Sequence, residues 1–74
     1  EKQQFDVVLA NINNHIILDN QVFLAQNVVI GGTLLLSGLL QEDENEVVNG
    51  FVQRGFLHQK TIDLKGWIAI KLSY

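Results

Sequence analysis

An unbroken apolar run, Val7 to Ala10, constrains the fold of this chain more than any other stretch of its sequence. Such a run is typical of a central strand that is buried on both faces. The strand is predicted over residues 5–11, and it ends at the amide side chain of Asn11. In open α/β sheets, ligands bind in the crevice at the carboxyl ends of the strands. Any functional site in this chain is therefore expected at Asn11 and the polar residues that follow it.

The composition indicates a piece of a longer protein. The chain has 74 residues, of which 47% are hydrophobic and only 18% are charged. A domain of this size buries only about 60% of its unfolded surface, so its stability on its own is marginal. A free-standing small domain is expected to have a larger share of polar residues on its surface. The sequence also has no methionine, even at position 1, so Glu1 is not expected to be a natural translation start. We therefore expect one partial domain over residues 1–74.

Charge and residue usage argue against several classes of function. The formal net charge is −3 and the five basic residues are scattered, whereas direct binding to nucleic acid needs clustered Lys and Arg. The absence of cysteine excludes disulfides and thiolate metal sites. The apolar runs are far shorter than the roughly 20 residues that span a bilayer, and no signal-peptide pattern is present. The sequence thus predicts a cytoplasmic protein with no membrane segment and no direct nucleic-acid partner.

A first helix is predicted over residues 14–29, where apolar residues recur on one broad face. Asn13 or Asn14 suits its N-cap, since an amide side chain can accept hydrogen bonds from the open N–H groups of the first turn. Gly31-Gly32 is predicted to end this helix, because glycine is free to adopt the positive φ that closes a last turn.

The second strand is predicted over residues 33–36, with an extension to Gly38. The acidic run 41–44 then predicts the start of a second helix, where the helix dipole favours negative charge. Apolar residues at i, i+1, i+4 and i+5 mark the buried face of this helix, and Gly55 is predicted to end it. The acidic run is interpreted as a solvated helix start rather than as a metal or partner site.

After Gly55 the apolar period changes to two. Residues 56–63 and 67–74 both alternate, and the short turn at 63–66 joins them into a predicted antiparallel hairpin. The predicted order is β-α-β-α-β-β. Two right-handed crossovers that advance in the same direction place both helices on the same face of the sheet. The first two strands are apolar on both faces, so the opposite face needs cover from elsewhere.

This order, which closes in a reversed last strand, resembles the C-terminal half of a class I S-adenosylmethionine-dependent methyltransferase. The similarity is to the PrmA type, the family that methylates the eleventh large-subunit ribosomal protein, and it runs from Phe5 to about Leu72. It is carried by the segments FDVVLANI, GGTLLLSGLL, VQRGF and WIAIKL. The resemblance implies an α/β fold of the Rossmann-like kind, in which the last strand inserts antiparallel between the second and third strands.

The resemblance also implies what these residues do not include. The glycine-rich cofactor loop, the acidic residue that holds the cofactor ribose and the domain that recognises the ribosomal protein are all expected upstream of Glu1. The intact enzyme is expected to use S-adenosylmethionine and to methylate lysine and N-terminal amines of the ribosomal protein. The fragment alone is expected to be inactive, and either to self-associate through its bare face or to need its missing half.

Asn11 is the predicted catalytic and cofactor-binding residue. Amine methylation needs a neutral nitrogen lone pair aimed at the sulfonium methyl group. An amide carbonyl at a strand end can accept a hydrogen bond from the substrate N–H and so orient that lone pair. The residues alone leave an alternative open, which is that Asn11 caps the first helix. In the family that the chain resembles, the matching asparagine contacts the cofactor and faces the substrate amine.

Four other polar or small residues are weaker candidates. Ser37 and Gly38 end the second strand beside Asn11, where they either line the substrate pocket or form a strand-end turn. Asn13 and Asn14 are interpreted as cap and loop residues, with substrate contact as the alternative.

The two histidines and the tryptophan are given mainly structural interpretations. His15 lies close enough to Asn11 to act as a base, or else it is an exposed first-turn residue. His58 is interpreted as structural or solvent-facing, and the two histidines lack metal-ligand spacing, so no metal is predicted. Trp67 is predicted to pack the hairpin against the sheet.

Two other functions stay open from the sequence. One is a class I methyltransferase that acts on a different amine. The other is a non-enzymatic α/β interaction module that buries its bare sheet face against a partner. The sequence upstream of Glu1 would separate these hypotheses.

Overall fold

A computed structural model describes residues 4–11 and 21–74 of the chain. The described elements, in chain order, are β1 (Phe5–Asn11), α1 (Gln21–Gln26), β2 (Val28–Leu40), a 3-10 turn (Gln41–Asp43), α2 (Glu44–Val52), β3 (Leu57–Leu64) and β4 (Trp67–Ser73). The predicted start of the first helix, its N-cap candidates Asn13 and Asn14, and His15 lie outside the described residues.

The four strands form one mixed sheet in the order β1-β2-β4-β3. The β1 strand pairs with β2 in parallel, and β4 pairs antiparallel with both β2 and β3. This confirms the α/β class and the insertion of the last strand between the second and third strands. Within the described sheet, β1 is an edge strand.

One face of the sheet carries the hydrophobic core. Its buried strand residues are Ala10 of β1, Val28, Leu34, Leu36 and Leu39 of β2, and Ile68, Ile70 and Leu72 of β4. Leu24 of α1 and Val47 and Phe51 of α2 join the same buried cluster, so both described helices cover this face, as predicted. On the opposite face Val7 and Leu9 remain 54% and 74% exposed. We call this side the bare face.

The prediction that the first helix extends to residue 29 was wrong. The α1 helix ends at Gln26, and β2 already begins at Val28. The Asn27 side chain donates a hydrogen bond to the Phe23 carbonyl at 2.6 Å and so satisfies an open carbonyl of the last turn. The β-branched residues that follow favour a strand. The backbone N–H of Phe5 bonds to the Asn27 carbonyl at 2.7 Å and begins the pairing between β1 and β2.

Gly31-Gly32 therefore lies inside β2 and does not end a helix. Between the pairs Phe5↔Val28 and Val7↔Thr33, β2 carries three more residues than β1 does. Gly32 is buried in this irregular stretch, and a Cβ there would lie 2.8 Å from the Asp6 carbonyl oxygen. The physical role of Gly32 is thus the close approach of two backbones.

The second helix matches its prediction. Acidic residues occupy the 3-10 turn and the first turn of the helix that follows it: Glu42, Asp43, Glu44 and Glu46. Gly55 has a φ of +96°, and its N–H bonds to the Val52 carbonyl at 3.0 Å. The Phe56 N–H bonds to the Phe51 carbonyl at 3.1 Å, and the two rings meet edge to face at 5.5 Å. These are the bonds and the apolar contact of a Schellman ending.

The hairpin has the predicted position, but its first strand does not keep one alternation. Lys65 and Gly66 both have positive φ, as a two-residue type I′ turn requires. His58 pairs with Leu72 and Lys60 with Lys71, so Gln59 is an extra residue in a bulge. The bulge moves Lys60 and Ile62 to the bare face, although the sequence pattern placed them on one face with His58.

In the described part of the chain, no helix has the length and apolar character that a bilayer crossing requires. Neither do the described residues include a group of three or more His, Cys, Asp or Glu side chains placed to hold a metal ion.

Candidate functional site

Asn11 and Ser37 lie side by side where β1 ends. They are register partners in the parallel pair of β1 and β2, one pair beyond Ala10↔Leu36. Side chains alternate along a strand, and partners on adjacent strands project to the same face. Since Ala10 and Leu36 are core residues, both Asn11 and Ser37 project to the bare face. The structure thus brings together two of the predicted site residues.

A bulge in β2 follows directly after Ser37. The pairs Leu36↔Ile70 and Leu39↔Ile68 leave β2 with one more residue than β4 over this stretch. Gly38 takes up the irregularity with a φ of +78°, a value that glycine adopts without strain. Bulges of this kind redirect side chains near functional sites.

Asn11 and Ser37 stand at the end of a concavity of about 480 Å³ on the bare face. The concavity is lined by Leu9, Ala10, Asn11, Leu35, Leu36, Ser37, Ile62 and Ala69. Its volume lies in the range of small-molecule sites, which are mostly apolar with a few placed polar groups. Gly38 is not among the lining residues, so its place in the fold is the bulge.

The polar groups of this lining are an amide and a hydroxyl. None of the residues that line the concavity is a carboxylate, a histidine or a lysine. Asn11 is exposed, and its side chain makes no hydrogen bond to another residue of the described ranges. The site can therefore orient a ligand by hydrogen bonds and apolar contact, whereas proton transfer would need a group from elsewhere.

The other residues singled out from the sequence lie apart from this site. His58 is on the exposed strand β3, with its Nε2 2.7 Å from the Thr61 Oγ1. This agrees with its interpretation as a structural or solvent-facing residue. Trp67 begins β4 and keeps 52% of its surface exposed, so it covers the sheet less than predicted.

Sequence reasoning missed the floor of the concavity and one buried amide. Ile62 reaches the floor of the concavity only because of the bulge at Gln59, and no local sequence pattern predicts this bulge.

The buried amide is that of Gln21. This residue is 7% exposed, and its Nε2 has no hydrogen-bond partner in the described structure. A Cβ at Gly50 would lie 2.7 Å from the Cδ of Gln21, so the glycine makes room for this amide between α1 and α2.

Comparison with known proteins gives one consistent family. The family described as "Ribosomal protein L11 methyltransferase (PrmA)" matches residues 1–74. A protein of Brucella abortus (strain S19) with the name ribosomal protein L11 methyltransferase is 32% identical over 69 residues, which is 93% of this chain. A protein of the same name from Mesorhizobium japonicum is 30% identical over 70 residues, or 95% of this chain.

The chain spans about a quarter of the length of these relatives, 24% in both cases. It also resembles the crystal structure of a ribosomal protein L11 methylase from Lactobacillus delbrueckii subsp. bulgaricus, with a TM-score of 0.87 at 22% identity. That likeness covers 96% of this chain and 37% of the other, and it shows that the two share a fold.

Proposed function

We propose that this chain, which belongs to the ribosomal protein L11 methyltransferase (PrmA) family, is part of the catalytic domain of an S-adenosylmethionine-dependent protein methyltransferase. Residues 1–74 form the C-terminal half of a Rossmann-like sheet in this proposal, and the activity is that of the intact enzyme. The observation that carries the proposal is the position of Asn11 and Ser37. These two residues are register partners at the end of β1, and both line an apolar concavity.

The residues that line the concavity suit part of the cofactor S-adenosylmethionine. S-adenosylmethionine combines an aromatic base with polar ribose and amino-acid groups, and a concavity with an apolar floor and two hydrogen-bonding side chains suits such a ligand. Asn11 is the residue that would hold it through its amide. When bound, the cofactor supplies a methyl group on a sulfonium. Gly31, Gly32 and Gly38 lack the spacing of a nucleotide-binding loop, so we assign that loop to the rest of the enzyme.

Asn11 acts by positioning in this proposal. Its amide oxygen accepts a hydrogen bond from the N–H of the substrate amine and holds the nitrogen lone pair in line for transfer. Correct alignment of two reactants can supply roughly 7 kcal/mol or more of the barrier reduction. A site whose lining holds an amide and a hydroxyl, and no acid or base, is suited to this role.

We further propose that the acceptor is the ribosomal protein named in the relatives, methylated on lysine and N-terminal amines, and that the enzyme works in the cytoplasm. A substrate of this kind is a protein, so the bare face does not need to bind nucleic acid. Methylation of a different amine remains the alternative outcome of the experiment that follows.

The test uses the intact parent enzyme with S-adenosylmethionine labelled in its methyl group. Transfer of label to ribosomal protein L11 is measured for the wild type, for Asn11→Ala and for the matched control Asn45→Ala. Asn45 is an exposed residue of α2, away from the concavity. We expect Asn11→Ala to reduce kcat/KM at least about tenfold, equivalent to some 1.4 kcal/mol, and Asn45→Ala to leave it unchanged.

Two results would contradict the proposal. A wild-type enzyme that labels a different amine but not this ribosomal protein would remove the proposed substrate. Equal turnover by Asn11→Ala and Asn45→Ala, in folded proteins, would reduce Asn11 to a helix cap.

A further inference from the structure

The two edges of the described sheet differ in regularity and in charge. The β1 strand pairs with β2 without a break from Val7 to Asn11, and this stretch has no charged residue. The β3 strand pairs with β4 through a bulge at Gln59, and Lys60 follows directly. Seven of the eight residues of β3 are exposed, so a further strand could add to this edge. Three of them are large and apolar: Leu57, Ile62 and Leu64.

The bulge joins two ends of the hairpin that are out of step by one residue. At the tip, the two-residue turn 65–66 fixes the register of β3 with β4. Pairs counted from this turn without a break would place Leu57 opposite Tyr74, whereas Leu57 lies opposite Ser73. At the base, the buried ring of Phe56 stacks on the ring of Tyr74 at 4.6 Å. Because contacts hold both ends, one residue of β3 is left without a partner between them.

Side-chain hydrogen bonds on both faces of the sheet hold the bulge in place. On the bare face, the Nε2 of Gln59 donates to the Oγ of Ser73 at 2.7 Å. On the other face, where both residues lie opposite buried side chains of β4, the Nε2 of His58 is 2.7 Å from the Oγ1 of Thr61. Residues three apart in a regular strand project to opposite faces, so this second bond forms only because of the bulge. Together the two bonds fix the extra residue at Gln59.

Lys60 adds a charge to β3 at a position where the sheet gains no stability from it. It lies opposite Lys71, and like charges on register partners lower the stability of a sheet. A lysine on an edge strand opposes the approach of another strand. The unfavourable pair of lysines is therefore accounted for if β3 has to stay unpaired on its outer side.

We propose that the bulge at Gln59, with its two side-chain bonds, and Lys60 close the β3 edge against pairing with a second copy of the protein. Two copies would bring identical β3 strands together about a two-fold axis, the commonest symmetry of protein dimers. Strand pairing needs a regular row of N–H and C=O groups, and the bulge interrupts that row within β3. Methyl transfer has no part in this inference, which goes beyond the proposed function.

The test measures self-association of the intact parent protein by analytical ultracentrifugation. A variant that lacks Gln59 keeps the pairs at both ends of the hairpin and gives β3 a regular edge. We expect the dissociation constant of its dimer to be at least about tenfold lower than that of the wild type. Lys60→Thr in the deletion variant should lower this constant further. The matched control is Lys71→Thr in the same variant, which removes the same charge from an inner strand and should leave the constant unchanged.

Hydrogen exchange identifies the edge that associates. In the deletion variant, the outward N–H groups of β3 should become protected as the protein concentration rises, whereas the protection of β1 should not change. An unchanged dissociation constant in the folded deletion variant would refute the inference, and so would new protection confined to β1. A wild type that already pairs through β3 would refute it as well.

A second pair of variants tests the bulge if the deletion variant does not fold. Gln59→Ala and Ser73→Ala each remove the same hydrogen bond and keep the length of β3. Each should promote dimer formation through β3, and the double variant should show no larger effect than either single one, because the two residues share one bond. Folded variants that dimerise no more than the wild type would show that the bulge does not close the edge.

Discussion

Gly32 provides the sharpest test of how β1 meets β2. In Gly32→Ala the new Cβ would lie 2.8 Å from the backbone oxygen of Asp6 and 2.9 Å from that of Val29. Backbone atoms cannot move aside as a flexible side chain can, so both strands must shift. Overpacking of this kind costs about 1–3 kcal/mol, against which the reduced entropy of the unfolded chain returns about 0.4–1 kcal/mol. We expect a net loss of about 1–2 kcal/mol in the local stability of the β1–β2 pairing.

Hydrogen exchange of the intact parent protein measures this loss of local stability at the β1–β2 pairing. A loss of about 1.4 kcal/mol corresponds to roughly tenfold faster exchange of the amides in β1 and in the middle of β2. The matched control is Gly31, which has a φ of +88° and nothing within 4 Å of a built Cβ. Substitution there strains only the backbone conformation, by about 1–2 kcal/mol.

The size of the substituent separates the two mechanisms. At Gly32 the loss should grow from Ala to Ser to Val, because the contact is steric. At Gly31 the cost of Ala and Ser should be similar, because the space around this position is open. Slower exchange in Gly32→Ala than in the wild type, or an equal cost of Ala and Val at Gly32, would refute the close approach of the two backbones.

Two further predictions concern the isolated 74 residues. Titration calorimetry with S-adenosylmethionine should show no saturable binding with a dissociation constant below about 1 mM, which corresponds to a binding free energy of roughly −4 kcal/mol. The reason is that the nucleotide-binding loop is assigned to the rest of the protein. A micromolar dissociation constant would contradict the interpretation of these residues as half of a cofactor site. The isolated chain should also self-associate or fail to fold. Leaving about 400 Å² of apolar surface in contact with water gives up on the order of 10 kcal/mol of hydrophobic stabilisation. Val7 and Leu9 on the edge strand β1 are part of that surface. Light scattering that shows a compact monomer with cooperative unfolding at tens of micromolar would overturn this prediction.

The elements that were predicted well are those whose cause is local in the sequence. The second helix has acidic residues at its start and Gly55 at its end, and each acts on backbone groups within a turn of itself. The hairpin turn is similar, because the Asp63 side chain accepts a hydrogen bond from the Gly66 N–H at 3.2 Å. Interactions over three residues leave a pattern that can be recognised without knowledge of the rest of the fold.

The errors came from residues whose role is set by a distant strand. Gly31-Gly32 fits a helix end as well as a strand, and only the Asp6 carbonyl, far away in sequence, decides between them. The bulge at Gln59 likewise exists only relative to β4, which alone fixes that Lys60 opposes Lys71. A bulge gives one strand an extra residue relative to its partner. The sequence of the bulged strand alone does not show how many residues of the partner strand lie opposite it.

The candidate site combines both kinds of information, which explains why only its polar end was predicted. Asn11 was singled out because an amide directly after an apolar strand is a local signal, and the position of strand ends follows from parallel pairing. The floor of the concavity is assembled from β1, β2, β3 and β4, and Ile62 belongs to it because of a bulge. The polar groups of the candidate site are therefore ones that the sequence reveals, whereas the shape of the concavity depends on registers that only the assembled sheet defines. Under the proposed function, substitutions at Asn11 should accordingly change the rate of methyl transfer, whereas changes in the β3–β4 register should change which ligands fit.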